Sequence, residues 1–178
     1  MDLSYLALAK QLLRGTGMLL TAAVAYPVGG MTLETKLDQI RFALRIEAEE
    51  INATLQLGAI KSGDYRAIDE EASAMLAVAG GALDVIVIPQ FEILTNSEKL
   101  KTCETLLEAG IRAIKTDGHG GVCQPEDIRL VRRAFGDVFS IEASGGIRTT
   151  GQALRLLEAG ADFIHTSTAY SVLAETTA

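Results

Sequence analysis

A lysine closes a short apolar run at position 115 and is followed by Thr-Asp-Gly-His-Gly-Gly. That is an unusual setting for a positive charge. A strand-end lysine commonly lays its methylenes along apolar surface and keeps its ammonium in water. Here Ile111 and Ile114 precede Lys115 and a glycine loop follows, which predicts an amine at the mouth of a cavity. A partly desolvated amine loses proton affinity and can condense with a carbonyl to form a Schiff base. The second chemical feature is the stretch from Ala143 to Thr149, Ala-Ser-Gly-Gly-Ile-Arg-Thr. Its adjacent Gly145 and Gly146 let backbone N–H groups approach an anion, and the helix start beyond them favours negative charge. A simple tight turn would use the same residues. A further apolar run ends in Thr166-Ser167-Thr168, whose hydroxyls and amides strengthen the expectation of a phosphate site. Glu142 stands just before the glycine pair, on the parity that aims inward. Asp117 lies two residues past Lys115. His119 and Cys123 lack the further ligands that a metal would need, so no metal site is expected. His165 sits on an apolar run, where a histidine is more often a hydrogen-bonded core residue than a catalyst, and it receives no assignment.

The elements that would position these groups are announced by a phrase said twice. Residues 106–118 read LLEAGIRAIKTDG and residues 156–168 read LLEAGADFIHTST. Each copy is the end of an amphipathic helix, an Ala-Gly stop, a short apolar run and a polar tip, and Lys115 in one copy falls where His165 falls in the other. Glycine ends the helix because it enters a left-handed cap cheaply. Strands are predicted near 18–25, 50–57, 84–88, 112–116, 138–142 and 162–166. Helices are predicted near 5–13, 32–47, 64–79, 96–108, 125–135, 150–159 and 168–175. Thr32, Asp64, Asn96 and Thr149 or Thr150 suit helix N-caps, and Pro125 suits a first turn. Such alternation means a parallel sheet covered by helices, in a single domain over 1–178. Six strands are countable where a closed (β/α) barrel needs eight. An incomplete barrel and an open doubly wound sheet both remain open on this count.

Composition narrows the function classes. The chain has 178 residues, 48% of them hydrophobic and 22% charged, as ordinary globular proteins do. Its formal charge of −7, with no basic run, argues against a nucleic-acid partner. The longest apolar run, Met18 to Val28, is 11 residues, too short to cross a bilayer as a helix. Cys103 and Cys123 form no CxxC pattern and read as reduced thiols, and the sequence reads as cytoplasmic.

Four ordered segments, AYPVGGMTLETKLDQ, EINATLQLGAIKSGDY, AIKTDGHGG and IEASGGIRT, resemble the deoxyribose-phosphate aldolases over nearly the whole chain. The resemblance implies a TIM-type (β/α) barrel and a metal-free, cofactor-free class I aldolase acting on a small phosphorylated sugar or aldehyde. It implies Lys115 as the Schiff-base lysine, and Gly145, Gly146, Ser167 and Thr168 as the phosphate-binding positions. The likeness departs from the family pattern in three respects. Asn52 replaces an aspartate of the proton-transfer apparatus, Glu142 replaces a second lysine, and the chain starts at what resembles the family's second helix.

These departures set two expectations. An ionised Glu142 beside Lys115 favours the ammonium form, so Lys115 is expected to be mostly protonated at neutral pH and a poor nucleophile. Unless Glu142 is itself neutral, or serves as the general base that Asn52 cannot be, the family reaction is expected to be slow. Asn52 can orient a water or a hydroxyl but cannot carry a proton. The alternative to an aldolase-type lyase is therefore a catalytically inactive, aldolase-like binding or partner subunit. A sheet short of its full complement of strands also predicts association, as a homo-oligomer or with another protein.

Overall fold

The computed structural model describes residues 1–117 and 120–174. Gly118 and His119 therefore lie outside the described residues, as does the end of the helix expected over 168–175. The strands are β1 (Thr21–Val24), β2 (Glu50–Thr54), β3 (Asp84–Ile88), β4 (Ala113–Lys115), β5 (Ser140–Ser144) and β6 (Phe163–His165). The helices are α1 (Leu6–Leu13), α2 (Leu33–Arg45), α3 (Leu57–Ser62), α4 (Tyr65–Ala79), α5 (Asn96–Ala109), α6 (Pro125–Phe135), α7 (Thr150–Glu158) and α8 (Ala169–Ala174). All six strands pair in parallel, in the order β1-β2-β3-β4-β5-β6. A doubly wound sheet reverses its strand order part-way. This one never does, and a monotonic order is that of a barrel wall. The sheet is a part-barrel of six strands.

Strand register explains why one wall can hold both core and chemistry. Successive side chains on a strand point to opposite faces, and the pairing keeps equal parities aligned across the sheet. One face carries Ala22, Val24, Ile51, Ala53, Val85, Val87, Ile114, Ile141 and Ala143, all buried within the apolar core. The other carries Thr21, Glu50, Asn52, Lys115, Glu142, Ser144 and His165. Charge is thus confined to one face of the sheet by a period of two.

The helix caps follow their chemistry. Thr32, Asp64 and Thr149 each accept a backbone N–H in the first turn, and Pro125 occupies the first turn of α6. Asn96 is not a cap. Thr95 takes that role in a reciprocal capping box with Glu98, the T-x-x-E spacing that the sequence contains. Helix α3 is absent from the sequence-based assignment, which extended the preceding strand to 57. It spans six residues and buries only Ala59 and Ile60, too little periodicity to register.

Two buried ion pairs brace the helical layer. Lys36 of α2 bonds Glu71 of α4 and the Thr54 carbonyl at the end of β2. Lys99 of α5 meets Asp127 of α6 at 2.6 Å. At Gly29 the backbone has φ +69°, and a Cβ there would lie 1.8 Å from the Leu55 carbonyl oxygen. Only glycine lets the β1–α2 segment rest on the end of β2. Among the described residues no helix is long and apolar enough to cross a membrane.

Candidate active site

The C-terminal ends of the strands open into a cavity of about 420 Å³, lined by Thr21, Asn52, Lys115, the loop from Ser144 to Arg148, and His165 to Ser167. This is the end of a parallel α/β sheet at which ligands bind, because the loops there are free to carry polar groups while the strands hold them rigid.

Lys115 ends β4 and pairs in register with Glu142 on β5. Its Nζ lies 3.8 Å from Glu142 Oε1; Lys115 is buried and Glu142 half-buried. Burial pulls the Lys115 ammonium below its ordinary 10.5, against the opposing pull of Glu142 and Glu50. Loss of hydration thus outweighs the neighbouring carboxylates in setting the direction of the shift. Glu142 responds differently. Burial alone would raise its carboxyl, but hydrogen bonding from His165 and the charge of Lys115 hold it below the usual range.

His165 is the residue that sequence reasoning left unassigned. It ends β6 on the polar face, diagonal to Glu142, with Nδ1 2.7 Å from Glu142 Oε1. The internal repeat contained the signal, since it aligns His165 with Lys115. In space the two repeated tips stand on either side of β5, and both reach the same carboxylate oxygen.

Asn52 sits two strands from Lys115, on β2. Its Nδ2 donates to Glu50 Oε1 at 3.0 Å, and Glu50 also accepts from Thr21 Oγ1 at 2.8 Å. Burial raises the Glu50 carboxyl, a shift that these two donors oppose and the nearby Glu142 charge reinforces. Asn52 Oδ1 is buried and has no hydrogen-bond partner among the described residues. Glu50, which sequence reasoning also missed, thus connects Asn52 to the site electrostatically. Asn52 itself makes no direct bond to Lys115 or Glu142 among those residues.

Gly145 and Gly146 form the turn after β5, both with positive φ, 111° and 66°. A Cβ at Gly145 would lie 2.7 Å from the Gly121 carbonyl oxygen, and one at Gly146 would lie 3.0 Å from a Val122 methyl. Packing against the β4–α6 loop is thus one reason for the glycines. The geometry also leaves the amides of Gly146, Ile147 and Ser167 without partners among the described residues. Ser167 lines the cavity. Thr168 does not: its hydroxyl donates to the Ile147 carbonyl at 3.2 Å and its amide to Thr166 Oγ1 at 3.0 Å. Thr166 also donates to Ile147, at 2.6 Å, so these two threonines tie the loops together.

Asp117 is buried and outside the cavity, where it accepts the Glu92 N–H at 3.0 Å. Cys123 is buried beside Thr116, and burial raises its thiol. Among the described residues no three His, Cys, Asp or Glu side chains converge in a way that could hold a metal.

No family profile matches the chain. Curated relatives do. The deoxyribose-phosphate aldolase of Streptococcus equi subsp. zooepidemicus is 32% identical over 171 residues, covering 95% of this chain and 77% of that protein. The enzyme of that name from Thermococcus gammatolerans is 36% identical over 158 residues, covering 85% of this chain and 69% of its own. Among solved structures, the aldolase QR15 superposes with a TM-score of 0.92 at 27% identity, covering 99% of this chain and 79% of that one. The tetrameric deoxyribose phosphate aldolase of Aeropyrum pernix shares the fold, with a TM-score of 0.91 at 24% identity, over 99% of this chain and 76% of that one. A monotonic parallel sheet, an amine buried at its C-terminal mouth and identities above 30% over most of the sequence agree: the chain belongs to the deoxyribose-phosphate aldolase family of aldehyde-lyases.

Proposed function

We propose that this protein is a class I aldolase that cleaves and forms a carbon–carbon bond in a small phosphorylated sugar or aldehyde through an imine on Lys115. One observation carries the reading. Lys115 is buried, depressed in pKa, and faces a cavity large enough for a small sugar phosphate. An amine that is neutral more of the time attacks a carbonyl faster. Its charge partner Glu142 adjusts that protonation, and Asn52 offers an unpartnered acceptor to a substrate hydroxyl or water. The phosphate group is assigned to the turn of Gly145 and Gly146 with Ser167, at the start of α7, and Thr168 closes the adjoining loop. A dianion there meets free amides and the positive end of a helix. Retention of a buried amine in the cavity speaks against the inactive alternative. Exposed apolar residues on both flanks of the sheet support association as a homo-oligomer or with another protein.

Borohydride trapping tests the proposal. Incubation with acetaldehyde or 2-deoxyribose 5-phosphate, followed by reduction, is expected to add mass at Lys115. Lys115→Ala should abolish the adduct while leaving the circular dichroism spectrum unchanged. A reducible adduct on the folded Lys115→Ala protein would assign the chemistry elsewhere.

A further inference from the structure

We propose that His165 is the proton carrier of this site, with Glu142 holding its imidazole in place. The inference rests on the imine assignment above and adds a second catalytic residue to it. The internal repeat sets an amine on β4 and an imidazole on β6, with one carboxylate on β5 between them. Glu142 Oε1 stands 2.7 Å from His165 Nδ1, a separation at which a lone pair on that nitrogen would repel the carboxylate. The proton is therefore on Nδ1, and in the neutral ring Nε2 carries the free lone pair. No described residue engages Nε2. The His165 side chain is 52% exposed and lines the same cavity as Lys115, so a substrate hydroxyl can reach it.

Three neighbouring polar groups are less suited to this task. Glu142 is held ionised by two basic partners and spends its Oε1 on both. An Asn52 amide transfers no proton at neutral pH. Glu50 does not line the cavity, and its Oε1 accepts from Thr21 and Asn52. The imidazole lines the cavity and keeps a free lone pair on Nε2, as a group that both takes and gives a proton requires.

The neutral Lys115 amine condenses with the aldehyde carbonyl of a β-hydroxy aldehyde, losing one water, and the resulting imine takes up the proton that the ammonium had released to solvent. Nε2 takes the proton from the β-hydroxyl, whose O–H electrons form a new carbonyl. The bond between the α and β carbons breaks, and its electron pair moves into the imine to give a neutral enamine. One aldehyde leaves. The imidazolium returns its proton to the enamine carbon, and water hydrolyses the imine to free Lys115 and the second aldehyde.

Acetaldehyde in D₂O separates this proposal from the one beneath it. Borohydride trapping reads imine formation, and deuterium entry into the acetaldehyde methyl group reads proton transfer. The wild-type protein should show both and Lys115→Ala neither. Absence of an adduct on the wild type would remove the imine assignment itself. His165→Asn keeps an N–H for Glu142 but has no basic nitrogen. It should retain the adduct within about twofold and lose exchange by at least about a hundredfold. In His165→Ala, added imidazole should restore exchange at least about tenfold, since the residue is half exposed and leaves a reachable gap. Exchange at the wild-type rate in His165→Asn overturns the proposal while leaving Lys115 in place. Loss of the adduct in both variants, without imidazole rescue, also overturns it, because His165 would then serve only the surroundings of the lysine.

Discussion

At the scale of single residues, the site is a contest between hydration and charge. Lys115 has two carboxylates within electrostatic reach, yet its pKa falls, because burial removes more stabilisation from the ammonium than they return. The sign of a pH effect follows. The neutral, reactive amine is lost as pH falls through the folded-state pKa, which lies below 10.5, so the acid limb of imine trapping should lie at lower pH than for a solvated lysine. Glu142→Gln removes a charge that props the ammonium up, and should shift that limb to still lower pH. Initial trapping rates between about pH 5 and 10, measured for the wild type and Glu142→Gln, check both statements. A shift to higher pH would mean that Glu142 does not act on Lys115 through charge. Sequence reasoning reached Lys115 and Glu142 because a strand's parity is visible in the residues themselves. It did not reach His165 or Glu50, since their importance lies in which neighbours the register brings across the sheet. The balance between burial, which lowers the Lys115 pKa, and Glu142, which raises it, was equally hidden, because burial depth is not written in the order of residues.

At the scale of elements, the strands can carry charge on one face only because the helices seal the other. The seal includes a cost that sequence patterning does not reveal. Lys36 lies on the buried side of α2, 1% exposed, and reaches Glu71 of α4, whose second oxygen accepts the Gln56 N–H ahead of α3 at 3.2 Å. Lys36 also donates to the Thr54 carbonyl. One ion pair therefore fastens two helices and the end of β2. An Asp or Glu deletion in such a pair leaves a buried ammonium uncompensated, which costs about 3–5 kcal/mol. Glu71→Ala should accordingly lower the melting temperature by roughly 10 °C in a chain of this size. Lys36→Met with Glu71→Leu should recover most of the loss, because an apolar pair of similar volume needs no compensation. Calorimetry on the three variants is the check, and an unchanged melting temperature for Glu71→Ala would show that water reaches Lys36. Long amphipathic helices and their caps were legible beforehand. The two-turn α3 and the Lys36–Glu71 pair were not: the first is too short for its periodicity to register, and the second presents lysine and glutamate in positions that normally face water.

At the scale of the whole molecule, the part-barrel has two flanks, and both are apolar. On the β1 side Leu8, Leu12, Met18 and Leu19 are exposed, although Leu6 of α1 is fully buried. Backbone bonds at this edge are partly satisfied, because Met1 donates to the Thr21 carbonyl at 3.0 Å and accepts from the Ala23 N–H at 2.8 Å. On the β6 side Leu154, Leu157, Phe163 and Leu173 are exposed, and three of them surround a shallow apolar depression between α7 and α8. Beyond β6 no described strand pairs with it. Edges of parallel sheet with apolar borders join other chains readily, since both the backbone groups and the side chains gain by leaving water. Self-association is the expected outcome at micromolar concentration, read as a mass above 18.9 kDa by light scattering. The β6 flank should contribute more than the β1 flank, whose edge Met1 already occupies. Leu154→Glu with Leu157→Lys should therefore shift the protein towards monomer, whereas Leu12→Glu should do so less. A wild type that stays monomeric would mean that these flanks tolerate water despite their composition, and that the sheet's open borders are stable as they stand.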